Sequence, residues 1–144
     1  MSSVQQPNGE DPPEAAGKHL DDAQLLFIHD HWDGAAYLAG YVVECSLKAV
    51  ILAGGGSRGT WGGGRGHDLT ALQLLAATVF SGRSAKYMQA IGVAQTIVGA
   101  TGWNVSQRYF ASGHIGEAVA EAFLNDAEAM YQATVIEMKK DGLV

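Results

Sequence analysis

A carboxylate and an ammonium four residues apart are the first chemistry in this chain. Glu44 and Lys48 are the two charged residues in a twenty-residue stretch, residues 34–53, that reads GAAYLAGYVVECSLKAVILA. A helix this apolar on all sides must be buried, and a buried charge is costly unless it is paired. The i,i+4 spacing, with the acid N-terminal, supplies the pairing. Tyr37 and Tyr41 continue the same row, giving a stripe at i, i+4, i+7 and i+11. Such a stripe either packs the core or lines a pocket; Tyr41, Glu44 and Lys48 form its polar part.

Other reactive side chains fall into weaker patterns. His19, His29, His31 and Asp30 lack the one-face spacing that a metal site on a helix requires, so no metal or other cofactor is expected. Cys45 is the single cysteine, which excludes an intrachain disulfide and a cysteine metal cluster. Eight glycines fall within residues 54–66, GGGSRGTWGGGRG, but the phosphate-loop spacing and its lysine are absent. That segment is expected to be a mobile loop, with Trp61 either packed on the core or left for a partner.

Charge is unevenly distributed. Residues 1–53 carry eight acids and two bases, and residues 117–144 carry six acids and two bases. The middle, residues 54–116, has one acid, Asp68, against Arg58, Arg65, Arg83, Lys86 and Arg108. The net charge of −6 disfavours non-specific nucleic-acid binding. A basic middle on an acidic body nevertheless predicts one electropositive face.

The elements that position these residues are helical throughout. Residues 1–12 are expected to be a disordered leader, and residues 13–144 one domain. Pro12-Pro13 opens a first helix with Leu20, Ala23 and Leu26 or Phe27 on its apolar stripe. Asp33 is placed to cap the apolar second helix, with Trp32 stapling the junction. Asp68 caps a short helix over 69–79, and another helix is expected over 84–100. A long final helix from about Ile115 to Lys140 has Ile115, Val119, Ala122 or Phe123, Ala127, Met130, Thr134 and Met138 on its buried side. The fold class is all-α, an up-and-down bundle of four long helices plus a short one. The charges inside the 34–53 segment argue against a membrane span, and the N-terminus has no signal-peptide pattern, so a cytoplasmic protein is expected.

The order of these features resembles the HEPN domain, with its nucleotidyltransferase substrate-binding-like bundle. The pieces that carry the resemblance are Asp22-Ala23 with Leu25-Leu26, then DGAAYLAGYVVECSLKA from Asp33 to Ala49. GHDL from Gly66 to Leu69, the Trp103-to-Tyr109 block and Tyr131 follow. The resemblance implies a homodimer that binds RNA or a nucleotide. In ribonuclease members an arginine and a histidine with four to six residues between them lie near the start of the last helix, and Arg108 and His114 fit with five between. The implied activity is a metal-independent, toxin-type endoribonuclease with a small nucleotidyltransferase-like antitoxin as partner. Arg108 would grip the phosphodiester and His114 would move protons. Arg58, Arg65, Arg83, Lys86 and Tyr109 would bind the RNA. Tyr109 departs from the polar residue that many active members carry after the arginine. The alternative is a non-catalytic interaction or scaffold module in which Arg108 is structural and bonds a carboxylate, Glu44 being the natural candidate.

Overall fold

Asp11 ends the leading coil by accepting a hydrogen bond from the Glu14 N–H, and two prolines then fill the first turn of a helix. Proline is suited there because its missing N–H would be unsatisfied anyway. In the computed structural model, which describes residues 1–62, 64–79, 86–87, 96–99 and 102–144, this helix is α1, Pro12–Ile28. It buries Ala16, Leu20 and Ala23, as the apolar spacing requires. Gly17 has a packing role: a Cβ there would sit 3.0 Å from the Tyr131 hydroxyl.

A three-residue turn leads into α2, Trp32–Ala53. Asp30, in that turn, has φ +62° and is the one non-glycine residue with positive φ among those described. The Phe27 and Trp32 rings meet across the junction at 4.9 Å. Twelve residues of α2 are buried, and 72% of its most apolar window lies inside the fold. It is long and apolar enough to cross a membrane, but α1 and the later helices Leu69–Val79 and Glu117–Tyr131 pack around it and make it the central core helix.

At the end of α2, Gly55 takes φ +89° and turns the chain so that the Gly56 N–H reaches the Ile51 carbonyl. A left-handed glycine closing a helix in this way satisfies carbonyls that would otherwise be orphaned. A 3-10 turn, Arg58–Trp61, then returns Trp61 to the core, where it is buried. Helix α3, Leu69–Val79, starts where Asp68 accepts from the Ala71 N–H at 3.0 Å. Lys86 and Tyr87 are helical, but Thr96–Gly99 is a turn. The rest of the helix expected over 84–100, Arg83 included, lies outside the described residues. Asp126 holds that turn by accepting from the Thr96 and Ile97 N–H groups.

The last helix, α4, is Glu117–Tyr131, continued by a π-helical segment Gln132–Ile136 and a final turn Glu137–Lys140. Thr134, fully buried at the π segment, donates its hydroxyl to the Met130 carbonyl at 2.6 Å. Back-bonding of this kind is associated with local departures from regular helix.

Two expectations need correction. Asp33 does not cap α2, which begins one residue earlier with His31 at the cap position and no side-chain bond there. Its carboxylate instead accepts from the Gly113 and Ile115 N–H groups, eighty residues away. Val119 is 46% exposed, and Ala120 takes its place on the buried side of α4. The buried stripe therefore runs through Ala120, Phe123, Leu124, Ala127 and Met130. The N-terminal segment is tied to the body by Ser2 on Asp11, Ser3 on the Leu143 carbonyl and Glu10 on Arg58.

Candidate functional site

The polar row on α2 organises the site. Glu44 is 3% exposed, and both of its carboxylate oxygens are engaged. Oε1 accepts from Lys48 Nζ at 2.7 Å, and Oε2 lies 2.9 Å from His67 Nδ1. The i,i+4 pair is as the sequence implies, whereas His67, at the exit of the glycine-rich loop, is the partner that sequence spacing could not reveal. The Lys48 ammonium also lies 5.7 Å from the centre of the Trp61 ring. With both oxygens filled, Glu44 does not bond Arg108, so the structural pairing that the sequence allowed is not formed.

Further along the row, the Tyr37 and Tyr41 hydroxyls are 2.9 Å apart. Burial foremost, then the Tyr37 hydrogen bond and the Glu44 charge, push the Tyr41 phenol above its usual range, so it stays neutral. Trp103 meets this row directly. Its Nε1–H donates to the Tyr37 carbonyl at 2.9 Å, and its ring lies 5.3 Å from that of Tyr41. Gly40 makes that approach possible, because a Cβ there would fall 2.0 Å from the indole nitrogen.

From Trp103 the chain enters a 3-10 turn, Val105–Tyr109, initiated by Asn104 accepting from the Ser106 N–H and hydroxyl. This turn carries Arg108 to the surface. The guanidinium lies 4.8 Å from the centre of the Tyr109 ring. Tyr109 first, and Tyr37 after it, raise the Arg108 pKa above its ordinary value. No carboxylate pairs with it among the described residues.

His114 follows in the loop before α4. Its ring meets that of Phe110 edge-on at 4.5 Å, and the chain on either side is fixed by the two N–H donations to Asp33. Burial opposes the Asp33 charge. The Ile115 and Gly113 N–H groups, with a smaller contribution from His114, outweigh it and hold the carboxyl below its usual range. The segment that carries Arg108 is thus tied to α2 at Tyr37 through Trp103, and the loop that carries His114 is tied to it at Asp33, one turn earlier and about 6 Å along the axis. Arg108 and His114 are both exposed near the N-terminal end of α2.

The remaining basic residues are placed differently. Arg58 is held bidentately by Glu10 at 2.6 and 2.7 Å. Lys86 is 2.5 Å from Asp141, which also accepts from the Tyr87 hydroxyl. Arg65 is exposed and makes no ion pair with a described residue. Burial pushes the Cys45 thiol up to about 12, which leaves it unreactive. Among the described residues no group of three histidines, cysteines or carboxylates is arranged to hold a metal.

The sequence model of the HEPN domain matches residues 11–139, nearly the whole chain. The chain belongs to the HEPN domain family. Its all-α bundle is the fold of that family, which is generally associated with nucleotides and RNA. A search of curated proteins and of solved structures finds no match to the chain. In this HEPN domain the two aromatic residues Tyr109 and Phe110 are the features that spacing alone undervalued. One ring carries the guanidinium and the next carries the imidazole.

Proposed function

We propose that this HEPN domain binds RNA at the Arg108–His114 end of α2 and cleaves it without a metal ion. One observation carries the reading. An exposed arginine with no carboxylate partner among the described residues and an exposed histidine are carried by segments tethered to neighbouring turns of a rigid core helix. An exposed guanidinium in that setting suits bidentate binding of a phosphodiester and of the charge that develops on its oxygens. An imidazole is suited to proton transfer near neutrality.

The chemistry proposed is internal transesterification. An imidazole takes the ribose 2′-hydroxyl proton, the 2′-oxygen attacks phosphorus, and the 5′-oxygen leaves with a proton from a second imidazole. The products are a 2′,3′-cyclic phosphate and a 5′-hydroxyl. A homodimer supplies the second histidine from the symmetry-related copy. Tyr109 offers a ring face to an unpaired base. Arg65 is available for further phosphate contacts, while Arg58 and Lys86 must first leave Glu10 and Asp141. A toxin role in the cytoplasm, restrained by a small nucleotidyltransferase-like antitoxin, is the biological form of this proposal.

The test is RNA cleavage in excess chelator by the purified chain, with end-group analysis of the products. Arg108→Ala and His114→Ala should each lower the rate by roughly a hundredfold or more. Intact RNA after prolonged incubation with the unmodified chain would overturn the catalytic part. Binding of a non-cleavable RNA that survives Arg108→Ala unchanged would overturn the location.

A further inference from the structure

Next to His114 lies a concavity whose chemistry is opposite to that of the Arg108 guanidinium. A cavity of about 440 Å³ is lined by Leu26, Asp30, His31, Trp32, Asp33 and the backbone of Gly113. Ser112 also lines it, so the loop that carries His114 forms one of its walls. The volume lies within the range of small-molecule sites. Leu26 and the Trp32 indole provide apolar wall, and Trp32 is braced by Phe27 at 4.9 Å. Of the two carboxylates, Asp33 is used up by the Gly113 and Ile115 N–H groups. Asp30 is not: it makes no side-chain hydrogen bond or ion pair among the described residues, and it is held in the left-handed region at φ +62°.

These features select a ligand. Two carboxylates repel a phosphate, so the backbone of a bound strand belongs at Arg108 and His114, outside this cavity. A flat neutral heterocycle fits against the indole. A carboxylate has only acceptors, so it favours a ring edge with adjacent N–H donors. Among the RNA bases guanine has that edge, with N1–H and the N2 amino group side by side. His31, on the same rim, can donate to the neighbouring O6. Adenine places an acceptor where Asp30 needs a donor.

We infer that this cavity takes an unpaired guanine, with Asp30 accepting from its N1–H and N2 amino group, next to the phosphodiester held by Arg108 and His114. The inference rests on the RNA-binding reading above but not on cleavage, and it gives the site a base preference.

The test is binding of the full chain to 2′-O-methyl hexanucleotides, which cannot undergo transesterification, at one fixed salt concentration. The strands are identical except for a single guanosine, inosine or adenosine. Guanosine should bind roughly five- to a hundredfold tighter than adenosine, the usual range for one bidentate contact to a base, with inosine between. Asp30→Asn should collapse that difference while leaving the adenosine strand within twofold; asparagine tolerates positive φ, so the turn is kept. Trp32→Leu should weaken the guanosine strand most. Equal binding of the guanosine and adenosine strands, or a preference that survives Asp30→Asn, would sink this inference and leave RNA binding standing. Failure of every strand to bind would remove both.

Discussion

The indole N–H of Trp103 donates to the main-chain carbonyl of Tyr37 at 2.9 Å, and the two rings lie 6.1 Å apart with their planes inclined by 29°. This contact joins the loop that bears Arg108 to the core helix. It depends on the bare backbone at Gly40. Gly40→Ala should therefore do two things. Forcing a methyl group into the indole should cost about 1–3 kcal/mol, the usual penalty for overpacking, and the displaced indole should carry the 105–109 turn away from α2. Chemical denaturation measures the first effect, and RNA cleavage or binding measures the second. Gly59→Ala, where the nearest atom to the added Cβ is a side-chain oxygen at 3.6 Å, should change neither by a comparable amount.

The Glu44 carboxylate is the least replaceable polar group in the fold. Removing one member of a buried ion pair leaves an uncompensated charge, which typically costs about 3–5 kcal/mol. Glu44→Ala should fall in that range because it strands Lys48, whose side chain is only 16% exposed. His67 is half-exposed and can turn to solvent, so His67→Ala should cost less than Glu44→Ala. The double variant Glu44→Met with Lys48→Met should recover much of the loss, since paired replacement by apolar groups is often neutral. Urea unfolding of the three variants checks the order. If Glu44→Ala proves as stable as the unmodified chain, the buried pair does not constrain the fold.

Arg108 separates a structural from a functional role. Its guanidinium is exposed and its contact is with Tyr109, itself 76% exposed. Surface substitutions of this kind are usually within about 0.5 kcal/mol of neutral. Arg108→Ala should thus leave the melting temperature nearly unchanged while removing RNA cleavage. A large loss of stability would return the arginine to a structural role.

Much of this architecture was legible because helices leave a periodic trace. The apolar run around Glu44 and Lys48, the Pro12-Pro13 start and the Asp68 cap gave α1, α2 and α3 from local pattern alone. What could not be seen was long-range. Nothing near Asp33 in sequence signals that its oxygens accept from residues 113 and 115, because a cap and a loop tether use the same side chain. His67 on Glu44 and Trp103 on Gly40 are likewise contacts across 23 and 63 positions, set by how helices pack. Val119 and Ala120 exchanged roles because α4 starts at Glu117, which shifts the register of its first turn. In the site, Arg108 and His114 were named through a family pattern. The Phe110 ring against His114 has no sequence signature beyond its spacing.

The Asp33 tether makes stability depend on acidity, with a definite sign. In the folded protein the two N–H donors hold its carboxyl below the usual range, whereas in the unfolded chain it returns to about 3.8. A group whose folded pKa is depressed contributes stability above its unfolded pKa and loses it as the pH falls through the folded value. The contribution should therefore be complete at neutral pH, begin to fade as the pH approaches 3.8, and be gone well below it. Asp33→Asn keeps an acceptor oxygen but not the charge. The denaturation midpoint of the unmodified chain should exceed that of Asp33→Asn at pH 6, and the gap should close as the solution is acidified below the carboxylate range. The same variant loosens the 113–115 segment, so at pH 6 amide exchange at Gly113 and Ile115 should be faster than in the unmodified chain. A gap that stays constant from pH 6 to strong acid would show that the charge of Asp33 takes no part in holding that loop.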